Sequence, residues 1–296
     1  MTNAPLETHS AASTAETTRN DTAEPSSTTP APGAARVALV TGASSGIGEA
    51  FARELAADGR DVVLIARREP ALERLAEELH ASHGIAAHVL AADLTHREAP
   101  RLLVERLASD GLEVELLVNN AGIGSDGQGF AETPLETLLA MVDLHCRATL
   151  ELTHRLLPAM LARGAGGVIF TASIAGFLPT PNYAVYGATK AFDLLVAEAL
   201  WAELSGSGVD VLALAPGRTD TPFFDASGRP GAGKGSMSPE RVAREALARL
   251  GRGPVHVPGL GNRLLTLAPR LVSRRLVART LARVLGERGA AERTTR

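Results

Sequence analysis

Only one cysteine, Cys146, occurs in the 296 residues, so no intramolecular disulfide can form. The same scarcity leaves no zinc-like cysteine–histidine cluster. His80 and His83 lie three apart with no third ligand, and they read as the polar end of a helix. Aromatic residues amount to 3%, and both tyrosines stand in one short stretch, Tyr183 to Lys190. No apolar run approaches the roughly 20 residues that span a bilayer. With a net charge of −3 the chain has no basic excess of the kind that marks nucleic-acid binding. What remains is 45% apolar, enough to bury a large core as one big α/β domain or two small ones.

The first 35 residues are Thr, Ser, Ala and Pro, with Glu7, Glu16, Asp21 and Glu24 against a single Arg19. They have neither the apolar centre of a signal peptide nor the arginines of a transit peptide. Too little apolar surface is present to offset chain entropy, so residues 1–35 are expected to be disordered and the chain cytoplasmic.

Order is expected from Arg36, where Arg36–Thr41 is a β-branched run typical of a buried strand. Thr41-Gly42-Ala43-Ser44-Ser45-Gly46-Ile47-Gly48 follows, then helical periodicity from Glu49 to Asp58. A glycine turn between strand and helix suits a phosphate cradle. It lets the backbone approach closely, and the helix start offers unpaired N–H groups to a pyrophosphate. A plain strand–helix connection would read the same way. After the second strand, Asp61–Ala66, the acid that commonly holds a ribose 2′-hydroxyl is missing, and Ala66-Arg67-Arg68 stands there. Guanidinium pairs with phosphate, so NADP(H) is favoured; the alternative is that these arginines merely start a solvated helix. Helix Pro70–Ser82, strand Ala86–Ala91, the turn Asp93-Leu94, helix His96–Ala108 and strand Val114–Asn119 continue the alternation. Six strand-like runs in all predict an α/β fold, a Rossmann-type doubly wound parallel sheet.

Tyr186 and Lys190 stand four apart at the start of a long helix, Ala184 to Leu204, so both side chains leave one face. A phenol beside a fixed ammonium gives up its proton more readily, and such a pair can serve as general acid or base. Alone the spacing is equally that of many solvated helix faces.

Five motifs in order change that balance: Thr41-Gly-x-x-x-Gly-x-Gly48, Asn119-Asn120-Ala121-Gly122, Ser173, Tyr186-x-x-x-Lys190 and Pro216-Gly217. On them the chain resembles the single-domain short-chain dehydrogenases/reductases from about Arg36 to His256. The resemblance implies hydride transfer between a nicotinamide cofactor and a carbonyl or alcohol. It implies a diphosphate site at Gly42, Ser44, Ser45, Gly46, Ile47 and Gly48, with Arg67 toward a 2′-phosphate. Asp93 and Leu94 would meet the adenine, and Asn120, Ala121 and Gly122 would support the sheet beside the adenosine. Pro216, Gly217, Thr219 and Thr221 would lie along the nicotinamide. Ser173, ending a strand Gly167–Ser173, would orient the substrate oxygen; Tyr186 would be the acid/base and Lys190 its activator and ribose contact.

One position departs from the family. His145 stands where an asparagine usually helps hold a proton-relay water. Its imidazole can donate at one nitrogen and accept at the other, and is expected either to be a tolerated replacement or to titrate near neutrality and shift the relay. A catalytically impaired nucleotide-binding regulatory or scaffold protein on the same fold is the alternative. Cys146 reads as a buried small apolar residue with no cation around it.

Residues 219–237, rich in Gly and Pro, read as a substrate lid or a disordered loop; the resemblance implies the lid, with Phe223 and Phe224 either an apolar wall opposite Phe177–Asn182 or an anchor of the loop to the core. Strand Val209–Ala215 precedes it, and Ser238-Pro239 opens the helix after it. The absence of clustered charge there favours a neutral or lipophilic small-molecule substrate. Residues 36–258 thus form the catalytic domain. Residues 259–296 follow as a basic extension, with nine arginines and two glutamates from Asn262 on. Leu264, Leu267, Leu271, Val272 and Leu276 follow helical spacing, and Pro269 should break the helix. The extension suits peripheral contact with an anionic membrane, cover for the lid, the contacts of a homodimer or homotetramer, or a merely solvated arginine-rich face.

Overall fold

In the first strand Val37 and Leu39 pack into one apolar cluster while Ala38 and Val40 pack into another, and all four are fully buried. Alternate residues of a strand face opposite sides, so this sheet is covered on both faces. The structure, a computed structural model, describes residues 35–124, 127–223, 235–267, 269 and 272–293. Its strands are β1 (Ala35–Thr41), β2 (Asp61–Ala66), β3 (Ala87–Ala91), β4 (Leu112–Asn119), β5 (Gly166–Thr171), β6 (Val209–Leu214) and β7 (Val255–His256). All are parallel, in the order β3-β2-β1-β4-β5-β6-β7. The helices between them are α1 (Gly46–Ala57), α2 (Glu69–His83), α3 (Ala99–Ser109), α4 (Leu135–Val142), α5 (Thr149–Arg163), α6 (Ala184–Glu203) and α7 (Pro239–Arg249). Strand order reverses between β1 and β4, and the crevice beyond their carboxyl ends is where ligands bind in such sheets.

The seventh strand corrects the expected six. Val255–His256 is only two residues long, between Pro254 and Pro258, too short to show a strand pattern. Strand β5 stops at Thr171, two residues short of Ser173. The Ser173 Oγ accepts the Ala175 N–H at 3.2 Å and caps a 3₁₀ turn, Ile174–Phe177, instead of continuing the ladder. Strand β6 ends one residue before Ala215. Ser238 caps α7 by accepting the Arg241 N–H at 3.3 Å, with Pro239 at the first helical position.

The tail forms two helices, α8 (Leu260–Leu267) and α9 (Arg274–Arg293), with Pro269 between them. The polar side of α8 faces the domain. Asn262 Nδ2 donates to the Pro258 carbonyl, Arg263 Nε donates to that of Val257, and Thr266 is buried. Leu260, Leu264 and Leu267 form an exposed row at i, i+4 and i+7. No helix among the described residues is long and apolar enough to cross a membrane. The disorder expected over residues 1–35 is corrected at Ala35, which opens β1, and its remainder, the wall residue Phe224, most of the lid and Leu271 lie outside the described residues.

Candidate active site

The glycine turn is built by contacts that leave no room for side chains. Gly42 and Gly46 have φ of +69° and +61°, the left-handed region that favours glycine. A Cβ on Gly48 would stand 2.2 Å from the Gly42 carbonyl oxygen and 2.5 Å from Asn120 Nδ2. The Asn119–Gly122 segment locks this turn to the sheet. Thr41 Oγ1 accepts the N–H groups of Asn120 and Ala121, both at 2.9 Å, and donates to the Val118 carbonyl. Asn120 Nδ2 donates to the Thr41 carbonyl at 3.0 Å, and Asn119 Nδ2 to Thr153 Oγ1 at 3.0 Å. Thr221 packs on Gly46, since a Cβ there would meet its Cγ2 at 2.9 Å. The turn, Asn120–Gly122 and Thr221 are therefore one cluster. Ser44, Ser45 and Ile47 lie on the turn itself, at the start of α1.

The two arginines after β2 separate. Arg68 Nη2 donates to the Ser44 carbonyl at 3.0 Å and reaches its Oγ at 3.1 Å, so it lies over the turn. Arg67 interacts with Asp93. Burial alone would push the Asp93 carboxyl up, but the hydroxyl and N–H of Thr95, then Arg67 and His96, hold it below the ordinary range. Leu94 beside it is buried.

The start of α6 brings Lys190, one turn after Tyr186, against the end of β5 that precedes Ser173. Lys190 is buried, and its Nζ donates to the Thr171 carbonyl at 2.7 Å and to Asp193 Oδ2 at 3.0 Å. That ties α6 to the tip of β5, two residues before Ser173. Tyr186, one turn before Lys190, stacks edge-on with His145 at 6.0 Å between ring centroids and lies 5.9 Å from the Phe223 ring. Phe223 is thus beside the phenol, as an apolar wall requires. The ends of the lid segment are tied together: Asp220 N–H donates to the Met237 carbonyl and Met237 N–H to that of Arg218. Thr219 is buried and donates to the Gly217 carbonyl at 3.2 Å. Gly217 is pressed by Asn262 of α8, which a Cβ would meet at 2.4 Å. Pro216 accepts the Ile174 N–H and so joins β6 to the Ser173 turn.

His145 lies in a π-helical segment, Asp143–Ala148, between α4 and α5. It is completely buried. The Ile123 N–H donates to Nε2 at 2.9 Å, so the proton sits on Nδ1 and is donated to Thr189 Oγ1 at 2.8 Å. Thr189 in turn donates to the Tyr186 carbonyl at 2.9 Å. Burial, then the Lys190 charge, holds the imidazole well below its ordinary range. The expectation that it titrates near neutrality is therefore corrected: no solvent reaches it, and a cation stands beside it. The ring fits because Gly122, 3.2 Å from Nε2 at its Cβ position, has no side chain.

Two further corrections concern neighbours of Lys190. Cys146 is only half-buried and does have a cation near it, yet burial and Asp193 outweigh Lys190 and push the thiol up to about 11. Asp193 was not singled out by the motifs at all. An acid three residues after a lysine in a helix looks like an ordinary solvated pair. The signal lay in its apolar setting, Phe192-Asp193-Leu194-Leu195. Here its side chain is 4% exposed and that of Lys190 7%.

Comparison with known proteins matches this arrangement to one family. The family described as short chain dehydrogenase matches residues 36–230. A very-long-chain 3-oxoacyl-CoA reductase of Phaeosphaeria nodorum is 34% identical over 254 residues, 85% of this chain and 72% of that one. A short-chain dehydrogenase from Sphingobium yanoikuyae, solved in complex with NADPH, superposes with a TM-score of 0.72 at 33% identity, over 79% of this chain and 92% of the other. A 7beta-hydroxysteroid dehydrogenase structure gives a TM-score of 0.77 at 30% identity, over 83% and 96%. The chain belongs to the short-chain dehydrogenase/reductase family of oxidoreductases.

Proposed function

We propose that this enzyme is an NADP(H)-dependent reductase and dehydrogenase that interconverts a neutral, lipophilic carbonyl and its alcohol. The observation that carries the reading is the anchoring of Lys190 to the tip of β5, which puts it one helical turn from Tyr186 and next to the Ser173 turn. A bound nicotinamide supplies or accepts the hydride. Ser173 Oγ, which already accepts the Ala175 N–H, keeps its own hydrogen to donate to the substrate oxygen. Tyr186 delivers the proton to that oxygen during reduction and takes it back during oxidation. Lys190 has two of its three N–H bonds committed to protein and would have the third to offer the ribose of a bound nicotinamide. The glycine turn holds the diphosphate. Arg68 over Ser44, with Arg67 beside Asp93, forms the cationic rim for a 2′-phosphate. Phe223 beside Tyr186 supports an apolar substrate. So does likeness to proteins described as acting on very-long-chain 3-oxoacyl-CoA and on hydroxysteroids.

A homodimer or homotetramer belongs to the same reading. Leu135, Leu139, Leu195 and Trp201 leave apolar surface exposed on α4 and α6, and sedimentation of the purified chain tests it.

The deciding experiment is NADPH oxidation by the parent and by Tyr186→Phe, against a panel of bulky ketones and aldehydes. The variant should bind NADPH as the parent does and lose on the order of a hundredfold or more in kcat. Near-native rates in the variant would remove Tyr186 from the mechanism. A parent that binds NADPH and turns over no carbonyl would favour a regulatory protein on this fold.

A further inference from the structure

Tyr186, Lys190 and Asp193 stand at i, i+4 and i+7 of α6, so the three project from one stripe of the helix. The third is a carboxylate with almost no exposed surface, and burying one costs heavily unless it is paired. Its Oδ2 accepts from Lys190 Nζ at 3.0 Å. Its Oδ1 has no hydrogen-bond partner among the described residues, nor has Thr171 Oγ1, on the residue whose carbonyl also holds the ammonium. Half of this carboxylate is therefore desolvated without compensation. A helix that needed only packing here would be served better by an aliphatic side chain.

We propose that Asp193 is a positioning residue for the proton-transfer pair: it pins the Lys190 ammonium against the end of β5 and offsets its positive field at Tyr186. The inference rests on the reading of Tyr186 and Lys190 given above, and adds to it the group that sets how strongly lysine acts on the phenol.

The groups that face Lys190 are few. From α6 come Asp193 and Tyr186, and from the π-helical segment His145 and Cys146. Strand β5 brings the uncharged Thr171. His145 is kept neutral by burial, and the thiol stays protonated because burial pushes it up to about 11. Among the described residues, Asp193 is thus the anion against this ammonium near neutral pH. Burial by itself lowers the lysine's hold on its proton. Asp193 first, and then Tyr186, outweigh that and raise its affinity for the proton. Burial likewise raises the Asp193 carboxyl, against the pull of Lys190. The pair therefore presents a dipole to Tyr186 where a bare lysine would present a full charge.

The test exploits the chain's having only two tyrosines, Tyr183 and Tyr186. The ultraviolet band of tyrosinate is titrated against pH in the full-length parent, in Asp193→Asn and in Asp193→Leu. Each is also made with Tyr186→Phe, so that subtraction isolates Tyr186, and circular dichroism bounds the pH range over which each remains folded. Removing one negative charge about 10 Å along the helix, at an effective dielectric near 20, should move the Tyr186 transition down by about one pH unit, and the same substitutions on a Lys190→Arg background, whose guanidinium keeps its charge, separate this shift from loss of the lysine proton. Both variants should show it. The leucine variant puts no polar atom of its own at position 193, so a fault caused by the asparagine amide is recognised as such. A Tyr186 transition that stays put or moves up in both folded variants overturns the proposal, whatever their thermal stability. The titration needs no turnover, so its failure is distinct from failure of the catalytic reading, which the Tyr186→Phe rate decides separately.

Discussion

At the scale of single residues, His145 shows how a buried polar group loses its freedom to titrate. Both ring nitrogens are committed, Nε2 to the Ile123 N–H and Nδ1–H to Thr189. Protonation would turn Nε2 from acceptor to donor in front of an N–H, inside a site already beside Lys190. The folded state therefore holds this proton less well than the unfolded chain, whose imidazole has its ordinary value of 6.5. A depressed group of this kind contributes stability above the unfolded value and loses it progressively as pH falls below. Between pH 7 and pH 5 the melting temperature of the parent should fall more steeply than that of His145→Asn; parallel slopes would show that the imidazole is not the source. The pH dependence of kcat should carry no imidazole step near neutrality in either protein. Asparagine is too short to serve both partners. At pH 7 the variant should be less stable by about 1–3 kcal/mol, the cost of a buried donor left unmade. Chemical denaturation measures that cost.

At the scale of elements, the strand–turn–helix at the start of the sheet depends on one missing methyl group. Any Cβ on Gly48 would collide with the Gly42 carbonyl and the Asn120 amide, and both belong to rigid turns locked through Thr41. Gly48→Ala should therefore cost about 1–3 kcal/mol in urea unfolding and weaken NADPH binding with it. A stable variant with normal binding would mean that the turn can shift. This element was legible in the sequence because strand, glycines and helix are local patterns, and so were six of the seven strands. Less legible was anything fixed by what packs across the sheet. Ser173 leaves the ladder to cap a turn, and the two residues of β7 pair with β6 without any pattern of their own. The tail leucines have helical spacing, yet α8 turns Asn262 and Arg263 inward because carbonyls of the loop before it accept their donors. Of the site, Tyr186, Lys190 and Ser173 could be found by spacing and resemblance. Asp193 could not, because burial separates a solvated pair from a desolvated one, and spacing carries no record of burial.

At the scale of the whole molecule, cofactor choice brings together elements far apart in the chain. The turn after β1 carries Ser44, the turn after β2 carries Arg67 and Arg68, and the turn after β3 carries Asp93. Arg68 is already laid on Ser44, so little side-chain freedom remains to be lost when a phosphate arrives. Arg67 stands by Asp93, whose charge is in turn held by Thr95. On the proposed reading, either arginine gains more from a charged 2′-phosphate than from a 2′-hydroxyl. Ligand that binds only the folded chain stabilises it by about 2.7 kcal/mol at a hundred times its dissociation constant, so thermal shifts report affinity without a known substrate. NADPH should raise the melting temperature of the parent more than equal NADH does. Arg67→Ala and Arg68→Ala should each reduce the NADPH shift and leave that of NADH nearly unchanged. The double variant should bring the two cofactors level. Equal losses for both cofactors would instead place these arginines in the shared diphosphate site or in the fold, and the preference for NADP(H) would lose its physical basis.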